Sequence, residues 1–367
     1  MTDDIIVCGL GPAGRALAHR CLAHGMSVTA VDPLPDRRWS ATYAGWSDEL
    51  PQWLDPTVVA AVVDAPAAWG TRLHRLDRTY VVFDSERLRD SLDLDGARIS
   101  ADRVVEIRQN TVTLASGTKY SADRIVDARG IARASARAEQ TAYGVVVQRD
   151  TEMQPLFMDW RSDNGAEPGA PRSFLYAVPL DAQTMLLEET CLAGRPAIDT
   201  AVLRDRLRHR LRSRGIELTG FEPIERVRFP VQGGRPGRSR FGAAGAFTHP
   251  ATGYSVTASL AAADTVALGA TAWPVRARAV HALRAAGLRA LLALPPTDIP
   301  VFFDAFFTMP PQLQRAYLSG RTDLGGTVAA MRTLFAALPA PMRRRVATAT
   351  LGMSIRSRIR MGSSIME

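Results

Sequence analysis

The first 32 residues constrain the fold more than any other part of the chain. Residues 4–8 are a short apolar, β-branched run. Gly9-Leu10-Gly11-Pro12-Ala13-Gly14 follows, and residues 15–24 then carry Ala16, Leu17, Cys21 and Leu22 at helical spacing. Gly25 ends that helix, and residues 27–31 read as a second strand finishing at Asp32. Strand, glycine turn, helix, strand, acid is the order that a βαβ nucleotide-binding unit requires. The first glycine permits the tight turn, the second lets backbone approach a pyrophosphate, and the third allows close strand–helix packing. Phosphate then sits on a helix N-terminus, where free amides and the dipole favour negative charge. Asp32 stands 18 residues beyond Gly14 and suits a ribose hydroxyl. Pro12 and Ala13 at the variable positions favour FAD over NAD.

The rest of the chain predicts an α/β protein built around that unit. With 46% apolar and 22% charged residues in 367, whole-chain disorder is excluded, and two domains or one with an insertion are expected. Residues 33–75 are irregular and rich in Trp and Pro. Residues 76–83 read as a strand, 86–92 as a helix, and 98–127 as a β-meander closing on Asp127-Ala128-Arg129-Gly130. Residues 143–149, 173–178 and 184–190 are strand-like, 198–214 form a basic helix, and the last 110 residues are mostly helical. The expected architecture is a Rossmann-like FAD-binding domain of the glutathione-reductase flavoprotein type over 1–140 and 225–275. A β-sheet substrate domain is inserted at 141–224, and a helical part covers 276–367.

Charge and cysteine usage narrow the function classes. Cys8, Cys21 and Cys191 are odd in number and widely spaced, so neither a disulfide framework nor a zinc site is expected, and a reducing cytosol fits. The acidic N-terminus is unlike a secretory signal, and no run of 18 apolar residues lacks charge. The net charge of +8 suits nucleic acid or an anionic membrane surface. No nucleic-acid-binding module is present. Lys119 is the only lysine beside 44 arginines, a bias that weakens any claim that arginine was selected for phosphate.

Three further segments carry chemistry. A strand ending in Asp127-Ala128-Arg129-Gly130 is the pattern by which two-dinucleotide-fold flavoproteins return to the cofactor. In residues 241–255, Gly242, Gly245, Pro250, Thr252, Gly253 and Tyr254 let backbone approach closely and precede a helix N-terminus. His249 in that segment reads either as a backbone-capping loop histidine or as a cofactor neighbour. Many flavin monooxygenases and geranylgeranyl reductases carry an acid here, and this chain does not. In Leu186-Leu187-Glu188-Glu189-Thr190, strand alternation puts Leu186, Glu188 and Thr190 on one face and Leu187 and Glu189 on the other. Only one carboxylate can enter a given pocket, and spacing alone also allows both to be surface acids paired with arginines.

Together these segments resemble the flavin-dependent lycopene cyclase family. The matching segments, in order from about residue 4 to 320, include Tyr43-Ala44-Gly45-Trp46-Ser47-Asp48-Glu49, Met158-Asp159-Trp160-Arg161, Phe174-Leu175-Tyr176-Ala177-Val178-Pro179, the Glu188-Glu189-Thr190 box, Gly245 to Tyr254, and the aromatic Phe302-Phe303-Asp304-Ala305-Phe306-Phe307. The resemblance implies a redox-neutral cyclisation of the acyclic ends of lycopene to β-ionone rings, with reduced FAD as cofactor and NAD(P)H as electron source. It implies Glu188 as acid or cation stabiliser, Glu189 as second choice, and Tyr43, Trp46, Trp160, Tyr176, Phe302 and Phe306 at the polyene substrate. The same chemistry on another polyprenyl chain, or an FAD monooxygenase or polyprenyl reductase, are the alternatives. Where the family has Asp-Arg before its next helix, this chain has Asp84-Ser85 with Arg87 displaced, and residues 360–367 match nothing in the pattern.

A polyene substrate lives in the bilayer, so a cytoplasmic enzyme peripheral to the inner face of the cell membrane is expected. Residues 275–294 mix Val280, Leu283, Leu288, Leu291 and Leu292 with Arg276, Arg278, Arg284 and Arg289. That segment suits either an interfacial amphipathic helix or a core-packed one. Arg204, Arg206, Arg208, Arg210, Arg212 and Arg214 suit a solvated helix or lipid headgroups.

Overall fold

A computed structural model describes residues 3–149 and 153–350. Its first sheet has six strands, in the order Arg98–Ser100, Val28–Val31, Asp3–Cys8, Lys119–Asp127, Thr111–Leu114, Val104–Arg108. Asp3–Cys8 lies between parallel partners on both sides. Ile5, Ile6, Val7 and Cys8 are all fully buried, as a strand covered on both faces requires. Thr111–Leu114 is antiparallel and alternates instead, with Val112 and Leu114 inward. The helices Pro12–Ala23 and Val256–Ala267 pack side by side over this sheet.

The second sheet has seven strands, in the order Ile224–Pro230, Glu139–Gln148, Thr184–Gly194, Phe174–Pro179, Leu156–Asp159, Ala67–Trp69, Leu73–Arg75. It therefore reaches beyond 141–224 at both edges. Ala67–Trp69 pairs in parallel with Leu156–Asp159, nearly ninety residues away, and a three-residue apolar run carries no local sign of such a partner. Residues 33–75 are likewise not irregular throughout. Ala44–Trp46 and Val59–Val63 flank Tyr80–Phe83 in a three-stranded sheet.

One face of the seven-stranded sheet is covered by the basic helix Thr200–Ser213. Leu203, Leu207 and Leu211 make its apolar stripe, and Arg206 and Arg210 are buried with them. The other face meets the C-terminal helices Val275–Ala293, Ile299–Phe307, Pro311–Leu318, Leu324–Ala337 and Ala340–Thr350. In Val275–Ala293 the stripe of Ala277, Val280, Gly287 and Leu288 packs on the protein. A Cβ at Gly287 would sit on the Tyr317 hydroxyl, so this helix is seated closely in the core. Among the described residues no single helix is long and apolar enough to cross a membrane. Residues 351–367, which include the unmatched tail, lie outside the described residues.

Candidate active site

A cavity of about 790 Å³ runs from the glycine turn to the face of the seven-stranded sheet that Thr200–Ser213 leaves free. At one end stand Gly9, Gly11, Pro12, Ala13 and Asp32. Gly9 has φ +100°, and a Cβ there would lie 2.8 Å from the Ala128 carbonyl. Gly14 lies against the Gly9 carbonyl with no room for a side chain, so it is a packing glycine behind the cavity. Gly11 differs, since a Cβ there would meet nothing within 4 Å. Its glycine identity thus serves the space in front of it, which is where a phosphate approaches backbone. Gly11 is also the N-cap of Pro12–Ala23, with no side-chain cap on the first amides. The Asp32 carboxylate accepts from the Leu10 amide at 2.7 Å and the Leu34 amide at 2.8 Å, locking the turn to the second strand. These features fit the pyrophosphate of a dinucleotide.

The 241–255 segment closes on that end. A Cβ at Gly242 would lie 2.5 Å from Ala13, so this glycine lets the segment abut the helix start from behind the cavity wall. Gly245 is held in a turn against Arg240, and Pro250 lines a separate small cavity of about 30 Å³. Thr252, Gly253 and Tyr254 line the large cavity, and Ser255 opens Val256–Ala267 with no side-chain cap. Two uncapped helix N-termini thus face one space. His249 accepts from the Ala251 amide at 3.2 Å through Nδ1, so its Nε2 donates to the Tyr317 carbonyl at 3.0 Å. It caps backbone. From the strand-end motif, Arg129 and Gly130 reach the cavity, whereas Asp127 lies behind it, forked to Arg129 at 2.9 Å. Arg87, displaced from the family position, is exposed beside Asp84.

At the other end the sheet face is the floor. Strand register puts Tyr176, Glu188, Gly144 and Glu225 in one row across four neighbouring strands. Directly opposed residues share a face, and Tyr176, Glu188 and Glu225 line the cavity. Phe174, Leu186, Leu192, Val227 and Phe229 make the surrounding floor apolar. Glu188 is buried, and Oε1 accepts one hydrogen bond, from the Thr190 hydroxyl at 2.6 Å. Burial first, and the Glu225 charge second, push its carboxyl up to about 8 against the pull of Thr190. A carboxyl in that state is a neutral acid at physiological pH. Tyr80 links the hydroxyls of Tyr176 and Tyr254 at 3.1 and 2.8 Å. Burial holds all three phenols well above their usual range, so they stay neutral.

The two adjacent acids part company here. Glu189 faces the Thr200–Ser213 helix, fully buried, with Arg210 Nε at 2.8 Å, Asn164 Nδ2 at 2.8 Å and Ser173 Oγ at 2.7 Å. Both Glu189 and Arg210 are without solvent contact, so this pair ties helix to sheet rather than reaching the cavity. Arg214 bonds Asp159 and Asp163, and Arg206 bonds Ser173. Half of the arginine series is thereby turned inward. Of the residues expected at the substrate, Tyr43 and Tyr176 line the cavity. Trp46, Trp160, Phe302 and Phe306 are core behind it. Trp46 packs on Tyr80 and Phe157, and Trp160 stacks on Phe303 at 4.8 Å and braces Phe174. Glu225, Tyr80, Phe157 and Gly144 were not singled out by sequence. Their role rests on register between strands far apart in the chain, for which Ile224–Pro230, alternating like a solvated edge, offers no local signal.

Comparison with known proteins bears on this arrangement. The family model described as lycopene cyclase protein matches residues 4–344. An uncharacterized carotenoid cyclase of Deinococcus radiodurans is 31% identical, covering 95% of this chain and 94% of that one. The chloroplastic lycopene beta cyclase of Arabidopsis thaliana is 30% identical over 88% of this chain and 75% of its own. Among solved structures, a geranylgeranyl bacteriochlorophyll reductase-like protein from Thermoplasma acidophilum superposes with a TM-score of 0.64 at 12% identity, covering 92% of this chain and 99% of that one. A flavoprotein/dehydrogenase from Cytophaga hutchinsonii gives 0.56 at 12% identity, over 96% and 100%. At such identities the likeness speaks for the flavoprotein fold alone, whereas the family match and the curated relatives speak for the chemistry: this chain belongs to the lycopene cyclase family and is a carotenoid-cyclase-type enzyme.

Proposed function

We propose that the protein is a lycopene β-cyclase that closes the acyclic ends of lycopene by acid–base chemistry, with no net oxidation or reduction. The observation that carries this reading is Glu188, a buried carboxyl that its surroundings favour in the neutral form, on a largely apolar floor in the same cavity as a dinucleotide-type glycine turn. Glu188 donates its proton to a terminal double bond. The next alkene attacks the resulting cation and closes the ring, a ring proton is lost to solvent, and Glu188 takes up its next proton from water. Atoms and electrons balance without a co-substrate.

The other residues hold the charge and keep water out. The rings of Tyr80, Tyr176 and Phe157 line the cavity that holds Glu188, and aromatic faces attract cations. Phe174, Leu186 and Leu192 give an apolar bed for a polyene and raise the cost of charging Glu188 prematurely. The cofactor is FAD, which Gly9, Gly11, Pro12, Ala13 and Asp32 would hold together with Arg129, Gly130, Thr252 and Gly253, and NAD(P)H is its electron source. When bound in its reduced, anionic form, FAD would supply negative charge, which favours a carbocation. The enzyme collects its substrate at the inner face of the cell membrane. Exposed Leu268 and Val275, with Arg276 and Arg278 beside them, support that contact.

Expression in a bacterium that accumulates lycopene, followed by pigment extraction, tests the reading. Yellow monocyclic or bicyclic carotenes are expected. Unchanged red lycopene beside flavin-loaded protein would refute lycopene as substrate and shift the assignment to another polyprenyl chain. NAD(P)H consumed in step with product would instead point to a monooxygenase or reductase.

A further inference from the structure

Two carboxylates, not one, stand on the cavity floor, and their surroundings are unlike. Glu188 and Glu225 flank Gly144 in the strand row, about 10 Å apart at the backbone for two strand spacings. The residue between them in the row, Gly144, contributes no side chain of its own. A Cβ at Gly144 would lie 2.8 Å from Leu186 and 3.3 Å from Glu188, so glycine here leaves its place on the floor to the side chains of Leu186 and Glu188.

Their hydrogen bonds differ in kind. Glu225 is gripped at both oxygens, Oε1 accepting from the Thr42 amide at 2.9 Å and Oε2 from the Thr42 hydroxyl at 2.7 Å. Burial pushes the Glu225 carboxyl up, and the two Thr42 donors oppose that rise by favouring its ionised form. Glu188 has the single Thr190 donor and an apolar surround, which favour its neutral form. The other groups near the pair are uncharged or engaged, except the exposed Arg37. The hydroxyls of Tyr176, Tyr80 and Tyr254 bond one another. Arg228, on the strand of Glu225, pairs with Glu139. Arg37 and Tyr43 belong to the wall around Thr42.

We propose that Glu225 is a positioning residue of this site: an ionised carboxylate, anchored by Thr42, whose charge across the Gly144 strand keeps Glu188 protonated. When two acids share a site with surroundings that separate them, one stays charged and the other keeps the proton. Glu225 also ties the wall around Thr42 and Tyr43 to the floor that carries Glu188. The inference rests on Glu188 being the site's acid, but not on which polyene it protonates.

The test follows the proton itself. In the flavin-loaded protein, the infrared band of a protonated carboxyl that disappears in Glu188→Gln identifies Glu188, and its loss with rising pH gives a midpoint. In Glu225→Gln that midpoint falls by about one pH unit, the effect of removing a like charge at this range. The alkaline limb of the pH–rate profile moves the same way, which loss of packing alone would not do. Should Glu225→Gln not fold, Thr42→Val weakens the grip on the anion and lowers the midpoint by less. An unchanged midpoint in a folded variant overturns the proposal, and so does a wild-type protein with no Glu188 band at any pH. Failure on lycopene with a shifted midpoint would overturn the substrate assignment and leave the pairing intact.

Discussion

Glu188→Gln tests the acid through stability alone, with no substrate present. The carboxyl has an ordinary value of 4.5 and is pushed up to about 8 in the fold by burial and then by Glu225. A carboxyl raised on folding favours the folded state fully below its unfolded value, and that contribution is lost as pH rises toward the folded value. Between those two values the folded chain holds one proton more than the unfolded chain. Each pH unit there costs about 1.4 kcal/mol. Between pH 5 and pH 7 the wild type therefore loses about 3 kcal/mol through this residue, and glutamine, which cannot ionise, loses none. Thr190 can still donate to the amide oxygen, so the variant keeps the hydrogen bond on which the geometry depends. Denaturant unfolding of wild type and variant at both pH values gives two stability differences. The account predicts that they differ by about 3 kcal/mol, with Gln gaining toward pH 7. A difference that does not change with pH would mean Glu188 is ionised in the fold, and an ionised carboxylate cannot be the proton donor.

Other perturbations separate binding from folding. Gly11→Val has room in the fold, so retained flavin should fall sharply while far-ultraviolet circular dichroism and thermal unfolding of the flavin-free protein stay as in wild type. Gly14→Ala, where a side chain would strike the Gly9 carbonyl, should lower the yield of folded protein instead. Arg210→Met leaves Glu189 buried without its cation and should cost about 3–5 kcal/mol in denaturant unfolding. Adding Glu189→Met should recover much of that loss, because the buried Glu189 charge is gone and Asp163 keeps Arg214 as its partner.

Parts of this molecule could be read from residues alone because local physics determines them. Residues 3–32 are such a part: a strand buried on both faces, glycines at fixed offsets and a closing acid leave few other solutions. Strand periodicity also settled that Glu188 and Glu189 face opposite sides. Which side is the cavity depended on Thr200–Ser213 covering the other, with Arg210 buried to meet Glu189. The arginines of that helix look like a solvated series in sequence, and only packing reveals that Arg206 and Arg210 are interior. Phe302 and Phe306 show the reverse case. An aromatic cluster suits a hydrocarbon tunnel, yet here it fills core beside Trp160 and Phe303. Glu225 was illegible for a third reason. Its partner across the floor is set by two strand pairings, neither of which leaves a mark within Ile224–Pro230.

The central claim is that ring closure begins with a proton from Glu188 and ends without net electron transfer. The most direct measurement is cyclisation of lycopene in vesicles in heavy water, by protein loaded with pre-reduced FAD and given no further reductant. The account predicts many turnovers per flavin, one deuterium in each ring formed, and no product from Glu188→Gln that still holds its flavin. Rings formed without deuterium, or turnover that stops after one equivalent of reduced flavin, would contradict it.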